Sequence, residues 1–406
     1  MVFIILRYQT RPMIDNNRDY LKIVDNFARI REVDSAPIFK SNSLPFPLIS
    51  IVIPTYKRTV LLKAAIESAL NQKNCSDFEV IVVDDDPQRA CETEQLMSGM
   101  ADEKICYYKN EQNLGQINNW NRCFELANGK WVVMLHDDDL LLDVFLEDCF
   151  TVINQLPQIG LLKPQWFHWV DDGSTPNIPE DTNTGELQRV YEIDQLIADR
   201  IGAPTGIIIN REKFFLAGGF NPDFFPTADK CFVTLFSYYF EVYKLNKIAS
   251  VYRLLNNDSL KTEVLSGFLH NDFFLFKQLC RRFRIPALIA DNFLGYKLRN
   301  IVGYYKNINP AFSFNKKAIG LTEPGRIAGR ISYILTNKIV STYRKFYNVF
   351  GPLIFKKRQR NLTLIAVEEK VKKGTTGVPV IAWTISQFLE EGFLAFFESC
   401  ETVFSL

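Results

Sequence analysis

The chain has 406 residues, more than one ordinary domain needs, and its 47% hydrophobic and 23% charged content argues against a disordered polymer. A formal net charge of +1 conceals an asymmetry: residues 277–360 hold 18 Lys and Arg against only Asp291 and Glu323, a local +16 that leaves −15 for the rest. Eight scattered cysteines with no CxxC pair, and three histidines with no cysteine at ligand spacing, speak against a disulfide framework or a zinc site and suit a reducing compartment.

Residues 1–47 read as an N-terminal extension closed by the proline-bearing SNSLPFP; its VFIIL run is too short for the core of a signal peptide. LISIVI (48–53) is a near-continuous β-branched run, the pattern of a strand buried on both faces. Helical spacing of Leu62, Ile66, Ala69 and Leu70 follows over Thr59–Asn71, then a second strand FEVIVV (78–83) and a polar helix near 88–100. KICYY (104–108) predicts a third strand, 116–127 a helix ending at Asn128-Gly129, and KWVVML (130–135) a fourth strand. Phe145, Cys149, Ile153 and Leu156 mark one stripe of a helix over 143–156. Such alternation predicts right-handed βαβ units in a mostly parallel, Rossmann-related sheet flanked by helices. Beyond residue 160 come aromatic QWFHWV, an acidic loop, GIIIN, a Gly-Gly-Phe turn, an aromatic helix over 230–245 and a strand near 247–252. From about 263 the chain reads helical and basic, and 361–406 carries no interpretable pattern. No stretch reaches about 18 uninterrupted apolar residues, so no membrane-spanning helix is expected.

Ligands of open α/β sheets bind beyond the carboxyl ends of the strands. Three unusual segments sit there: Pro54-Thr55-Tyr56-Lys57-Arg58, Asp84-Asp85-Asp86 and His136-Asp137-Asp138-Asp139. Parallel strands point the same way, so the three converge on one rim with six carboxylates and a basic pair. One aspartate after a strand is an ordinary helix cap; three in a row call for a cation. Oxygen ligands favour Mg²⁺ or Mn²⁺, ions that bridge to a substrate phosphate. His136 fits a packing role beside them, and Trp120, Trp166 and Trp169 fit aromatic core better than sugar stacking. Neither GxGxxG nor GxxxxGK[ST] is present, which disfavours dinucleotide oxidoreductases and P-loop NTPases.

PLISIVIPTYKR, FEVIVVDDDP and NEQNLGQINNWNRCFELANGKWVVMLHDDD, in this order and spacing, resemble the inverting family 2 glycosyltransferases of GT-A fold across roughly residues 48–262. The resemblance implies a catalytic domain over 48–262, split into a nucleotide-binding half (48–139) and an acceptor half (140–262), with a helical, basic region over 263–406. It implies a DXD-type divalent metal site at Asp137, Asp138 and Asp139. It further implies nucleotide-sugar contacts from Pro54, Thr55, Tyr56, Arg58, Asp85, Asn113, Gly115, Asn121, Asp137 and Asp138. GAPTGIIINREKFFLAGGFNPDFFPTADKCF resembles the acceptor half, with Gly218, Gly219 and Phe220 at the turn and Asp229 as the general base. The family's usual Glu-Asp pair is Ala228-Asp229 here, and Leu255 stands where relatives often carry a His. The implied reaction is an inverting transfer from a nucleotide-sugar, UDP-sugar foremost, to a hydroxyl of a glycan, with Mg²⁺ or Mn²⁺ as cofactor. A metal-dependent nucleotidyl or phosphate hydrolase and an inactive glycan-binding relative are the alternatives. The basic, aromatic 277–360 stretch resembles an interfacial segment on an anionic leaflet and carries no recognised nucleic-acid module. Together these readings predict a cytoplasmic, peripheral protein at the inner face of the membrane, acting on a lipid-linked glycan of a surface polysaccharide.

Overall fold

Strands form where the sequence is continuously apolar. The computed structural model describes residues 19–40, 47–100, 102–171, 176–179, 184–254, 261–315, 319 and 324–372. A short strand β1 (Ser35–Phe39) precedes the alternation β2 (Ile49–Thr55), α1 (Thr59–Leu70), β3 (Phe78–Asp84), α2 (Glu92–Gly99), β4 (Ile105–Asn110), α3 (Gln116–Leu126) and β5 (Trp131–Met134). Every residue of β2, β3, β4 and β5 is buried, as strands covered on both faces require. The next elements are β6 (Leu140–Leu141), α4 (Phe145–Gln155), β7 (Ile159–Val170), β8 (Leu187–Val190), α5 (Asp194–Ile197), β9 (Ile207–Asn210), α6 (Arg211–Leu216), α7 (Ala228–Tyr239) and β10 (Glu241–Leu254). Helices α8 (Thr262–Arg282), α9 (Ala287–Ile308) and α10 (Arg326–Lys372) complete the described chain.

The sheet order is β1-β4-β3-β2-β5-β9-β7-β10-β6, with β8 on β10. The parallel, Rossmann-related part is β4-β3-β2-β5, and β7 pairs parallel to β10; the remaining pairings are antiparallel. The α/β class with flanking helices therefore holds, while the sheet as a whole is mixed. Antiparallel entry of β9 has a local cause. The loop before it arrives at the carboxyl rim, where the Gly206 N–H donates to Met134 O at 2.7 Å, and β9 runs back beside β5.

A buried polar stitch sets where β5 starts. Glu79 accepts from Ser50 Oγ (2.6 Å) and from Asn128 N–H (3.0 Å), and Gly129 N–H donates to Ser50 Oγ (2.8 Å). A Cβ at Gly129 would lie 2.5 Å from Ser50 N, so the turn Asn128-Gly129 presses directly on β2. Expected and observed elements differ chiefly at 230–245. The aromatic helix stops at Tyr239 and Glu241 opens a 14-residue strand, because Val242, Leu245, Ile248 and Val251 bury against β7 rather than along a helical stripe. β1 was not foreseen: it lies in the N-terminal extension and caps the edge of β4. Leu255 lies outside the described residues, as do 1–18 and 373–406.

Residues up to Tyr347 form one compact unit, and those from Asn348 on form another, helical as far as Lys372. Within the first unit α8 and α9 are tied to the sheet's helices: Lys230 of α7 meets Asp272 of α8 at 2.8 Å, and Lys297 Nζ donates to Leu196 O (2.7 Å). The seven described cysteines are free thiols. No helix among the described residues is long and apolar enough to cross a membrane.

Candidate active site

The three strand-end segments meet. Thr55 closes β2, and its Oγ1 donates to Asp137 Oδ2 at 2.8 Å. Arg58, at the start of α1, places Nη1 2.6 Å from Asp138 Oδ2 and 3.7 Å from Asp137 Oδ1. Asp85 N–H donates to Thr55 O at 2.9 Å, and Lys57 lies 3.9 Å from Asp86. Pro54 pairs with Val83 inside the sheet, whereas Tyr56 is 43% exposed at the rim with Lys57 over its ring. Asp84 turns inward instead, accepting from Lys109 Nζ (2.6 Å) and Tyr107 OH (2.8 Å), and serves the fold.

His136, Asp138 and Asp139 each offer one ligand atom, all within 4.8 Å of one another. Asp139 is buried; its Oδ1 accepts from Arg253 N–H at 2.8 Å, while Oδ2 has no hydrogen-bond partner among the described residues. Burial, with Asp138 alongside, pushes Asp139 up to about 7. Burial likewise raises Asp137 to about 6 against the opposing Thr55 hydrogen bond. It also lowers His136 to about 4, so the imidazole is neutral at pH 7 with a lone pair to give. His136 stacks on Trp120 with centroids 5.3 Å apart, and its Nε2 is another buried atom without a partner. Dry carboxylates, a neutral imidazole and two orphaned buried acceptors fit a divalent cation. Asp137, placed with Asp138 and Asp139 in the metal set by resemblance, is held by Thr55, the Tyr56 backbone N–H and Arg58.

Asp85 binds the N-x-G segment. Its Oδ1 accepts from Asn110 Nδ2 (2.8 Å) and Leu114 N–H (2.8 Å), and its Oδ2 from Gly115 N–H (2.9 Å). Burial raises its pKa, and the bonds from Leu114, Asn110 and Gly115 at the N-terminus of α3 oppose that rise. Asn113 closes the loop from the other side, its Nδ2 donating to Asp85 O (3.2 Å) and its Oδ1 accepting from Gly115 N–H (3.1 Å). Gly115 adopts φ +78°, which a Cβ would strain.

Asn121 and the Gly-Gly-Phe turn belong to the frame around the site. Asn121 is fully buried and bonds Phe220 twice, Nδ2 to its carbonyl and Oδ1 from its N–H, both at 2.8 Å. Phe220 is fully buried among Trp120, Phe124, Phe214 and Phe232. Gly218 and Gly219 have positive φ, and a Cβ there would lie 2.1 Å from Val24 O and 2.7 Å from Asn121 Oδ1. The N-terminal segment straps this turn: Asn26 Nδ2 donates to Gly218 O at 3.0 Å, and Arg29 pairs with Asp223 at 2.6 Å.

Asp229 opens α7, half-buried, and its Oδ1 accepts from Lys230 N–H at 2.8 Å. Burial first, then the charge of Asp199, pushes it up to about 7. The Tyr252 phenol is driven up to about 12 by burial first and then by the charges of Asp139, Asp138 and Asp229. Several contributors left no mark in the sequence. Lys163 of β7 is fully buried, and its Nζ donates to Thr205 O and Ala203 O; burial lowers it to about 7. Thr205 Oγ1 in turn accepts from His136 N–H at 3.1 Å, so a buried lysine holds the loop that holds the acidic corner. A lone Lys within IGLLKPQW gives no such signal.

Residues 50–162 match the family model described as glycosyl transferase family 2. An uncharacterised glycosyltransferase of Haemophilus influenzae is 31% identical over 177 residues, 42% of this chain and 56% of the relative. A GalNAc(5)-diNAcBac-PP-undecaprenol beta-1,3-glucosyltransferase of Campylobacter jejuni is 34% identical over 112 residues, 27% of this chain and 35% of the relative. The solved mannosyltransferase of Pyrobaculum calidifontis aligns at TM-score 0.46 and 15% identity, covering 83% of this chain and 92% of that one. The chain spans about half the length of the curated relatives it matches. The matched segment runs from β2 into β7 and takes in the acidic corner and the Asp85 loop, and over residues 50–162 the chain is similar to glycosyl transferase family 2.

Proposed function

We propose that this protein is a metal-dependent inverting glycosyltransferase that moves a sugar from a nucleotide-diphosphate-sugar, UDP-sugar foremost, to a hydroxyl of a glycan acceptor. The observation that carries the reading is the meeting of strand ends at the acidic corner: Thr55 and Arg58 bond Asp137 and Asp138, ligand atoms of His136, Asp138 and Asp139 lie within 4.8 Å of one another, and a buried acceptor atom of Asp139 is left without a hydrogen-bond partner among the described residues. Asp138 and Asp139, with His136 beside them, would hold Mg²⁺ or Mn²⁺, and Asp137 orders Thr55 and Arg58 beside them. A bound divalent cation there supplies charge neutralisation for the departing nucleoside diphosphate. Thr55, Tyr56 and Arg58 line the nucleotide side, where the Tyr56 ring, with Lys57 over it, is 43% exposed. Asp85, Asn113 and Gly115 shape the loop that borders it.

Asp229 takes the proton of the acceptor hydroxyl as that oxygen attacks the anomeric carbon. The anomeric carbon–oxygen bond to the diphosphate breaks from the opposite face, and the configuration inverts. A carboxylate poised near pH 7 suits this duty, because a useful base must be both largely deprotonated and basic enough to accept the proton. The acceptor is a lipid-linked glycan at the inner face of the cell membrane. Two facts support it: the Campylobacter relative's name places its action on an undecaprenol-linked glycan, and residues 277–360 carry +16. Asp229→Asn tests the assignment through incorporation of labelled sugar into a bacterial lipid-linked glycan extract. Transfer falls by roughly 10²–10⁴-fold, the range for loss of a general base, while nucleotide binding is retained. Full transfer by this variant would move the base elsewhere.

A further inference from the structure

The outer face of α10 stands apart from the site and has its own chemistry. Its inner face, Gly329, Ser332, Thr336, Val340, Tyr343 and Tyr347, is buried against the rest of the first unit. The packing is specific: Tyr333 stacks on Phe293 with centroids 6.1 Å apart, Tyr343 meets Phe283 edge-on at 5.0 Å, and Tyr347 OH donates to Glu192 Oε1 at 2.8 Å. The helix is thus held firmly with one side outward. On that side Ile327, Ile331 and Ile334 are 78%, 52% and 48% exposed, at i, i+4 and i+7. Arg326, Arg330, Lys338 and Lys345 are exposed with them, and no Asp or Glu occurs anywhere between 326 and 345.

We propose that this face docks the protein on an anionic lipid surface. A helix face turned only to water gains from mixed charges, since acid–base pairs at i, i+4 stabilise it and like charges oppose it. Three exposed isoleucines among four cations, with no acid, match the interfacial pattern in which apolar side chains enter the acyl boundary while Lys and Arg stems reach headgroup phosphates. A second copy of this chain would bring the same positive face and repel it. Nucleic acid would satisfy the cations but would leave the isoleucines in water. The inference does not depend on the transferase reading.

The full chain is sedimented with vesicles of phosphatidylcholine alone and of phosphatidylcholine mixed with phosphatidylglycerol. Binding to the mixed vesicles and little to the neutral ones is the expected result. Arg330→Gln with Lys338→Gln weakens it by roughly 25-fold, about a factor of five for each cation near such a surface. Ile327→Ser with Ile331→Ser and Ile334→Ser removes the part of the binding that survives high salt, where the charge contribution is screened. All variants keep the circular dichroism and nucleotide binding of the parent, since these side chains face outward and lie apart from the acidic corner. Equal binding to both vesicle types, variants that bind like the parent, or binding to a labelled duplex oligonucleotide without binding to vesicles would each overturn the proposal. So would loss of a dimer in the isoleucine variant with no change at vesicles.

Discussion

A buried carboxylate whose hydrogen bonds do not offset its lost hydration resists ionisation, and Asp139, with Asp138 alongside, is in that position. Asp137 and Asp229 share the tendency, with values of about 6 and 7 against an ordinary 3.8. Each is raised in the folded state, so each contributes stability that is fully present below its unfolded value and lost as pH rises through the folded one. The metal-free protein is therefore expected to lose melting temperature between pH 5 and pH 8, which calorimetry across that range reads directly. Mn²⁺ must find Asp139 deprotonated, so its stabilising shift grows over the same interval; an equal shift at both ends would place the ion elsewhere. Asp85 makes a different prediction. Asp85→Asn leaves one acceptor oxygen for three donors, and about 1–3 kcal/mol of stability is lost on denaturant melting.

The Gly-Gly-Phe turn shows at the level of elements why motif roles and physical roles diverge. Its glycines are demanded by the strap at Val24 and by Asn121, and its phenylalanine by an aromatic cluster, so packing alone accounts for the residue types of the turn. Gly219→Ala combines a positive φ of 73° with a close approach to Asn121, and is expected to cost about 1–3 kcal/mol. A melting point unchanged by that substitution would show that the strap does not clamp the turn. The strands β2, β3 and β5 were legible because each is a run of β-branched and apolar residues that only a doubly covered strand can bury. β10 was not: its aromatic approach at 236–243 satisfies either period, and the choice is made by β7, far away in sequence. β1 was hidden for the same reason, as an edge strand specified by the β4 that it covers.

At the scale of the whole molecule, convergence of three strand ends on one rim followed from parallel pairing alone, and the contacts Thr55–Asp137 and Arg58–Asp138 bear it out. What the linear pattern could not convey is the long-range bracing: Lys163 under Thr205, and Lys230 on Asp272. These depend on which loops meet across the sheet, and their residue types are unremarkable where they stand. The charge asymmetry was plain in the sequence, yet only the structure separates the inner face of α10 from its outer one. The central claim is that the acidic corner joins a divalent ion to a nucleotide diphosphate. Isothermal titration of UDP and UDP-sugars into the protein, with Mn²⁺ and with EDTA, tests it most directly. Metal-dependent nucleotide binding that is lost in Asp138→Asn with Asp139→Asn is the predicted result; no nucleotide binding in the presence of metal, or binding indifferent to metal and to that pair, would contradict it.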